Sequence, residues 1–350
     1  MKAGRRAYEL IQSGDFSLDC IGTYLGPAVG PRWLIASGFD LTLLKGGLLG
    51  NRYPVWLIGA SAGAWRFAAW LQPDAVKSYQ TLLEAYITAS YGKHATPQSI
   101  LLSLMDIVNS YIEDDALPFA LNHKKYRLGI LTCRMKGLMG CANSWLQRAG
   151  FIGCFLANAL HPDLIHRMAE RILFYYGPRA HDMALKSSFR GRSFPLSAAN
   201  FKPAVIASGA IPVAVAGVRN IFGAPDGMYR DGGLIDYHIR ENYETRNGGL
   251  TLLFHHQERI IAGWLDKSFK KRRPSEQDME SVVMVFPSEA FVAGLPDSRI
   301  PDRTDFKTYF DDPAARIANW RKAVELSAPL GEAFLEMIAS GRLRDAVERL

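Results

Sequence analysis

The sequence predicts an α/β fold in which short apolar strands alternate with longer helices. Apolar segments at residues 33–36 and 54–58 flank a helical run that continues to Leu49 and stops at Gly50. Two strands joined by such a crossover are typical of a βαβ unit in a parallel sheet. The chain has 350 residues, of which 48% are hydrophobic, so it can bury a large core. Because no Ser/Gly/Pro-rich linker interrupts it, we expect one domain over residues 1–350.

The other elements follow from hydrophobic spacing and from the positions of glycine and proline. Glycines and prolines between residues 22 and 31 predict a loop, and apolar residues recur at helical spacing from Asp74 to Ser90. Further predictions, in chain order, are a helix over 4–14, a helix over 97–112, a buried strand over 127–133, a largely helical stretch over 140–176 with a start at 161–163, a helix near 198–208, strands at 250–254 and 282–286, and an amphipathic helix from Pro313 that is broken near Pro329 and Gly341.

Composition argues against several classes of protein. The formal net charge of +7 is spread along the chain, so no nucleic-acid partner is predicted, although an anionic substrate or membrane surface is compatible with it. Four cysteines show no C-x-x-C spacing, which argues against a zinc site and a disulfide framework, and we expect reduced thiols. The cysteines are Cys20, Cys133, Cys141 and Cys154.

The chain carries no predicted targeting or membrane-spanning segment. Polar residues Glu9, Gln12 and Asp15 lie where a signal peptide would be apolar. The longest uncharged runs, 53–65 and 204–218, are shorter than the roughly 20 residues needed to cross a bilayer. We therefore expect a cytoplasmic protein, with peripheral contact at an anionic membrane surface as an additional expectation.

A Gly-x-Ser-x-Gly motif at Gly59, Ser61 and Gly63 follows the apolar segment 54–58 and precedes a run of small and apolar residues. On a sharp strand-to-helix turn, side chains two residues to either side of the serine would collide with the neighbouring strand and helix. The following helix would present unpaired N–H groups and a positive dipole end near the hydroxyl. The pattern therefore indicates that Ser61 is a nucleophile.

Two later motifs accompany the serine. Residues 207–212 read Ala-Ser-Gly-Ala-Ile-Pro, and Asp231 is followed by Gly232 and Gly233. In this order the three motifs resemble the patatin-like phospholipase family. The resemblance implies a three-layer α/β/α fold with a mostly parallel central sheet, a motif-bearing core at about 30–290 and a C-terminal helical extension at about 305–350. It also implies a Ser61–Asp231 dyad, an acyl-enzyme intermediate and a lipid or other acyl-ester substrate. No metal or organic cofactor is implied.

The oxyanion hole is the point of departure from that family, whose members usually carry a Gly-Gly-Gly-x-(Arg/Lys)-Gly loop after the first strand. The corresponding position here reads Ser-Gly-Phe-Asp at 37–40. We expect the N–H groups of Gly38, Phe39 and Ala62 to be the donors, with residues 45–47 as an alternative. Each lost donor lowers turnover on the order of 10²–10³-fold, so the enzyme could be slow.

The sequence is also compatible with two alternatives to a Ser–Asp hydrolase. A Ser-His-Asp triad would use His238, or else His255 or His256, although only two strands precede Ser61 and the Asp-Gly-Gly motif has no role in such enzymes. Otherwise we expect these histidines to lie at the surface or in hydrogen bonds near strand ends. The protein could also be a lipid-binding or partner-binding module with little or no catalysis.

Two further segments each have two interpretations. Five cations between residues 267 and 273 follow an apolar segment, and they predict either contact with anionic lipid or a solvated helix end. Residues 76–125 predict either a lid over the acyl pocket or a plain layer on the sheet.

Overall fold

A computed structural model describes residues 1–141, 144–176, 190–239, 243 and 248–350. Its central sheet is mostly parallel and has helices on both faces, so the predicted α/β/α architecture is confirmed. The strands are β1 Lys2–Ala3, β2 Ile21–Gly26, β3 Val55–Ala60, β4 Tyr126–Met135, β5 Ala169–Tyr176, β6 Gly191–Pro195, β7 Val218–Arg219, β8 Met228–Asp231, β9 Leu250–Phe254, β10 Val282–Val285 and β11 Glu348–Arg349.

Helices form the outer layers, and short 3-10 turns over 30–36, 232–234 and 264–268 supplement them. The α-helices are α1 Arg5–Ser13, α2 Ser37–Lys45, α3 Ala62–Trp70, α4 Ala75–Thr88, α5 Pro97–Tyr111, α6 Leu117–Ala120, α7 Ser144–Leu160, α8 Ile165–Met168, α9 Phe201–Ser208, α10 Glu276–Met279, α11 Glu289–Ala293, α12 Asp305–Thr308, α13 Pro313–Ser327, α14 Pro329–Ala339 and α15 Leu343–Ala346. No helix in the described ranges has both the length and the hydropathy that a bilayer crossing requires.

The strand order along the sheet is β11-β1-β10-β9-β2-β3-β4-β5-β6, with β8 paired to β4 and β7 paired to β8. Strands β10, β9, β2, β3 and β4 run parallel, whereas β5 and β8 are antiparallel to β4. Successive residues of the central strands face opposite layers. Tyr24 and Leu57 belong to the larger core cluster, and Leu25 and Ile58 belong to the second.

The first strand of the βαβ unit lies earlier in the chain than predicted. Residues 33–36 form part of a 3-10 helix, and the strand is β2, in the segment predicted as a loop. Glycine inside β2 has a packing role, because a Cβ on Gly26 would lie 2.8 Å from the Gly63 Cα. Gly26 therefore marks close approach between β2 and α3 rather than a turn.

A second correction concerns residues 140–176. Helix α7 and the start at His161 match the prediction, but residues 169–176 form β5. All eight residues of β5 pair with β4, from Ala169 opposite Met135 to Tyr176 opposite Leu128. A short apolar run cannot be assigned to helix or strand from periodicity alone, and pairing with β4 decides it.

The segment considered as a lid is a layer of the fold. Helix α4 packs on α3, and α5 packs on α4 and α9. Tyr111 at the end of α5 donates a hydrogen bond to the Trp65 carbonyl at 3.2 Å, and Ser78 of α4 donates to the Tyr111 carbonyl at 2.8 Å. These buried bonds tie both helices to the helix that follows Ser61.

The C-terminal helices cover α2. Gly331 of α14 contacts Thr42, and the rings of Phe39 and Phe334 lie 5.2 Å apart between centroids. Strand β11 then pairs with β1, so the first and last residues of the chain lie at the same edge of the sheet.

Candidate active site

Ser61 occupies a strained turn between β3 and α3. Its backbone angles are φ 53° and ψ −126°, a region that residues other than glycine rarely adopt. The flanking glycines are required by contact distances. A Cβ on Gly59 would lie 2.4 Å from the Ala64 nitrogen, and one on Gly63 would lie 1.8 Å from the Gly26 oxygen. Tight packing of β2, β3 and α3 thus holds Ser61 in this conformation.

Ser61 and Asp231 are in direct contact. The Ser61 Oγ donates a hydrogen bond to Asp231 Oδ2 at 2.8 Å, and both side chains are buried apart from a small exposed fraction of 8% and 7%. This distance lies within the range that direct proton transfer requires. In the described residues no imidazole lies between the two groups.

Strand register brings these two residues together. Strand β3 pairs with residues 126–131 of β4, with Ala60 opposite Leu131. Strand β8 pairs with the continuation of β4, with Asp231 opposite Thr132. Since Ser61 follows Ala60 directly, the end of β3 and the end of β8 meet beside consecutive residues of one strand.

Backbone and side-chain hydrogen bonds hold the dyad in place. The Ser61 N–H donates to Ser208 Oγ at 2.8 Å, and that hydroxyl donates to the Leu131 carbonyl at 2.7 Å. The Gly233 N–H donates to Asp231 Oδ1 at 2.7 Å. Ser208 belongs to the Ala-Ser-x-x-Ile-Pro motif, and its contact with the backbone of Ser61 was not predicted from the sequence.

The two glycines after Asp231 permit the close approach that the motif predicts. A Cβ on Gly232 would lie 2.2 Å from the Leu131 oxygen, and one on Gly233 would lie 2.5 Å from the Ala28 Cβ. Farther along the loop, Asp236 accepts two hydrogen bonds from Arg171 at 2.8 Å each, and both side chains are buried. This pair connects the loop to β5.

Burial raises the pKa of Asp231 to about 6, from an ordinary value near 3.8. Hydrogen bonds from the Gly233 N–H and Ser61 oppose that shift, as do the charges of Arg303 and Lys267. A pKa closer to neutrality makes the carboxylate a stronger base than a solvated aspartate while leaving it mostly ionised at pH 7.

The predicted oxyanion donors do not all lie at the site. Gly38 and Phe39 are buried in α2, and the Gly38 N–H donates to Ser327 Oγ at 3.1 Å. Gly38 and Phe39 were predicted as oxyanion donors because the preceding strand was assigned to residues 33–36. Residues 27–30 follow strand β2, and Ala28 of this loop lines the pocket beside Asp231. Ala62 begins α3 directly after Ser61, as expected.

A small pocket of about 20 Å³ lies beside Asp231. Its lining is mixed: apolar side chains of Ile211, Pro212, Leu234 and Trp264 meet the carboxylate and one guanidinium, that of Arg303. The lining thus places apolar surface and the charge of Arg303 beside the carboxylate that bonds to Ser61.

His238, His255 and His256 are buried together, not at the surface as one interpretation held. Burial lowers the pKa of each, so all three are neutral at pH 7. His238 Nδ1 accepts a hydrogen bond from the Ile261 N–H at 2.8 Å, and His255 Nδ1 contacts the Gln257 carbonyl. None of these contacts involves Ser61 or Asp231, so the geometry does not favour the triad.

One ligand nitrogen from each of these three histidines lies within 4.8 Å of the others, a cluster that could hold a metal ion. The hydrogen bond from the Ile261 N–H to His238 Nδ1 determines which nitrogen of His238 carries the proton. Because His238 Nδ1 is an acceptor, the neutral ring carries its proton on Nε2 and would have to lose it before Nε2 could bind a metal. This bond opposes metal binding by His238 Nε2, whereas the contact of His255 Nδ1 with the Gln257 carbonyl leaves His255 Nε2 unprotonated. Among the described residues, His238 Nε2, His255 Nε2 and His256 Nδ1 have no hydrogen-bond partner.

A buried ionic network beneath the nucleophile was not predicted. Arg66 of α3 donates to Asp40 Oδ2 at 2.7 Å, and the hydroxyls of Tyr24 and Tyr79 each donate to Asp40 at 2.6 Å. These four side chains join β2, α2, α3 and α4 at the base of the helix that begins beside Ser61. No local pattern in the sequence pairs an Asp and an Arg that lie 26 residues apart.

Comparison with known proteins adds no identification. Neither protein-family models nor curated proteins match this chain.

Proposed function

We propose that this chain is a serine acyl hydrolase of the patatin-like type that acts on lipid carboxylic esters. The observation that carries the proposal is the 2.8 Å hydrogen bond from Ser61 Oγ to Asp231 Oδ2 at a strained strand-to-helix turn. A serine held in unfavourable backbone geometry and bonded to a buried carboxylate fits the arrangement of an activated nucleophile.

In the proposed reaction, Ser61 Oγ attacks the ester carbonyl carbon while Asp231 accepts the hydroxyl proton. The tetrahedral intermediate collapses, the C–O bond to the alcohol breaks, and the alcohol leaves with the proton from Asp231. Water then attacks the acyl-enzyme with Asp231 again as the base, releasing the carboxylic acid and restoring Ser61. The Ala62 N–H at the start of α3 is the oxyanion donor in this mechanism.

The substrate class is supported by the pocket and by the sequence motifs. The apolar lining at Ile211, Pro212 and Trp264 suits the acyl chain of a phospholipid or acylglycerol. Order and spacing of the three motifs at 59–63, 207–212 and 231–233 resemble those of patatin-like phospholipases, which act on such esters.

Peripheral contact with an anionic membrane is also proposed. Lys270, Lys271 and Arg273 are exposed, whereas Arg272 donates to the Asn158 carbonyl at 2.7 Å and pairs with Asp266. Arg272 thereby connects the basic run to the C-terminal end of α7. That helix exposes Ile152, Leu156 and Leu160, with exposed fractions of 62%, 58% and 82%. An apolar helix face beside exposed cations is the composition of an interfacial surface.

Vesicle sedimentation tests the membrane contact. Binding to phosphatidylglycerol vesicles should exceed binding to phosphatidylcholine vesicles and should fall when Lys270, Lys271 and Arg273 are changed to Gln. Equal binding by wild type and this variant would contradict the contact.

A fluorophosphonate probe tests the catalytic proposal. We expect covalent labelling of wild type and none of Ser61→Ala, together with release of fatty acid from a panel of lipid esters by wild type alone. Asp231→Asn should lose most activity, whereas a matched His238→Phe variant should still be labelled. Loss of activity in the histidine variant with survival in Asp231→Asn would assign the site to a triad instead.

One observation favours a second candidate, a lipid-binding module without catalysis. The loop after β2 offers few free donors, because Pro27 lacks an N–H and the N–H groups of Ala28 and Val29 donate to the carbonyls of Tyr237 and Pro27. Under this alternative, wild type would bind fatty acid or phospholipid but would show no labelling at Ser61.

A further inference from the structure

Two cationic side chains border the pocket that contains Asp231. Arg303 lines the cavity, and its Nε lies 3.3 Å from the position a Cβ would take on Gly30, in the loop after β2. Lys267 lies over two aromatic lining residues, with Nζ 4.2 Å from the ring centroid of Tyr237 and 5.6 Å from that of Trp264. Both cations therefore converge on the entrance to the nucleophile from different segments of the chain.

Neither Lys267 nor Arg303 forms an ion pair within the part of the chain that the structure describes. A third cation nearby, Arg32, is different, because it pairs with Asp302. Each of Lys267 and Arg303 is partly buried. Burial, together with the charges of Arg303 and Arg32, lowers the pKa of Lys267 to about 8, so it remains mostly charged at pH 7.

Placing two like charges side by side in a partly buried pocket costs folding free energy unless an anion compensates them. Asp231 is the carboxylate in the cavity lining, and its Oδ2 and Oδ1 accept hydrogen bonds from Ser61 and Gly233. In the reaction proposed above, Asp231 also becomes neutral when it accepts the proton. With Asp231 neutral, the cations Arg32, Lys267 and Arg303 outweigh the neighbouring carboxylate of Asp302, and a bound anion offsets that excess of positive charge.

We propose that Lys267 and Arg303 form a subsite for a phosphate group carried by the same molecule as the scissile ester. This inference rests on the proposed hydrolase function and adds a substrate class to it: anionic phosphate-bearing acyl esters over neutral ones. A guanidinium donates two parallel hydrogen bonds to phosphate oxygens, and an ammonium supplies a compact charge to a third. The aromatic rings of Tyr237 and Trp264 lie against the Lys267 ammonium and position it for that contact.

The test compares phosphatidic acid with diacylglycerol of identical acyl chains, both presented in neutral detergent micelles so that surface charge does not contribute. We expect wild type to prefer the anionic ester in kcat/KM. Lys267→Met and Arg303→Met should each lower the ratio of anionic to neutral kcat/KM by about tenfold or more, the usual effect of a lost charge-assisted hydrogen bond. Lys267→Arg should recover part of the ratio. Lys77→Met, an exposed lysine on α4, serves as the matched control with an unchanged ratio.

A second measurement guards against variants that fail to fold. Glycerol 3-phosphate should inhibit hydrolysis of a neutral p-nitrophenyl ester by wild type, and it should inhibit the Lys267→Arg variant more weakly.

An unchanged ratio of anionic to neutral kcat/KM in both Met variants, with Ser61 still labelled by the fluorophosphonate probe, would overturn the subsite alone. Inhibition by inorganic phosphate without any preference for the anionic ester would also overturn it, since the site would then bind free anion. Absence of Ser61 labelling in wild type would overturn the proposed hydrolase itself.

Discussion

At the scale of single residues, Asp231 meets two opposing requirements. As the proposed base it must be ionised, but its burial against Ser61 disfavours the charged form and raises its pKa to about 6. Hydrogen bonds from Ser61 Oγ and the Gly233 N–H limit that rise. The carboxylate is thus poised to exchange a proton near neutral pH, without an imidazole.

The pKa of Asp231 predicts the acid limb of the pH–rate profile. Because the ionised form accepts the Ser61 proton, kcat/KM should be level above pH 7 and should fall about tenfold per pH unit below pH 6. Measurement of p-nitrophenyl ester hydrolysis between pH 4.5 and 8 checks this. A midpoint near pH 4, typical of a solvated aspartate, would contradict the role of burial.

The same shift predicts a pH-dependent stability. A carboxyl group whose pKa is raised on folding stabilises the fold fully below its unfolded pKa near 3.8, and this contribution is lost as the pH rises through about 6. Asp231→Asn, which stays neutral, should therefore gain up to about 3 kcal/mol relative to wild type at pH 8. At pH 4 the two proteins should unfold at similar urea concentrations. An equal difference at both pH values would contradict this linkage.

At the scale of elements, the nucleophile depends on how closely two strands and one helix approach each other. Gly26 of β2, Gly59 of β3 and Gly63 of α3 meet with no room for side chains. The buried pair of Arg66 and Asp40 then fixes α3 against α2 beneath this contact. Position and strain of Ser61 are therefore properties of the β2–β3–α3 unit rather than of the pentapeptide alone.

Gly63→Ala tests the close approach. Its Cβ would lie 1.8 Å from the Gly26 oxygen, so α3 must shift, and we expect a loss of at least about 2 kcal/mol in the free energy of unfolding together with loss of Ser61 labelling. Gly92→Ala is the control, since no atom lies within 4 Å of the position that its methyl group would take and its effect should stay within about 0.5 kcal/mol. Similar denaturation midpoints for both variants would contradict this account.

At the scale of the whole molecule, the C-terminal helices complete the helical layer that contains α3. Trp320 of α13 and Phe334 of α14 are each 1% exposed, and Ser327 Oγ accepts the Gly38 N–H. Arg316 donates to the Ile87 carbonyl of α4 at 3.2 Å. Residues 313–339 therefore cover α2 and α4, and these helices flank α3 in the same layer.

Removal of residues 313–350 should destabilise the whole fold. Because the truncation exposes the apolar faces of α2 and α4, we expect aggregation or a fall in Tm on the order of 10 °C or more. Removal of residues 348–350 alone, which eliminates only the two-residue strand β11, serves as the control and should shift Tm by a few degrees at most. An unchanged Tm after the longer truncation would show that α13 and α14 are dispensable.

The sequence by itself determined those features for which the local backbone geometry permits only certain residue types. The strained turn at Ser61 leaves no room for side chains at Gly59 and Gly63. The close approach of the Asp231 loop leaves none at Gly232 and Gly233, so glycine at these positions can be recognised in the sequence. Long, amphipathic helices such as α4 and α5 were predictable for a similar reason, since one buried face repeats every three to four residues.

Only the tertiary structure decided which distant segments meet. The glycines and prolines of residues 22–31 predicted a loop, although Gly26 of β2 serves close packing against α3. The apolar run of β5 was predicted as helix, although it pairs with β4. Because the first strand was predicted at residues 33–36, the oxyanion donors were predicted at Gly38 and Phe39. These two residues lie in α2 and not in the loop that follows β2. Convergence of Lys267 and Arg303 on the pocket depends likewise on register and packing across many residues. Contacts between distant segments impose no pattern on neighbouring residues, and they therefore cannot be predicted from the local sequence.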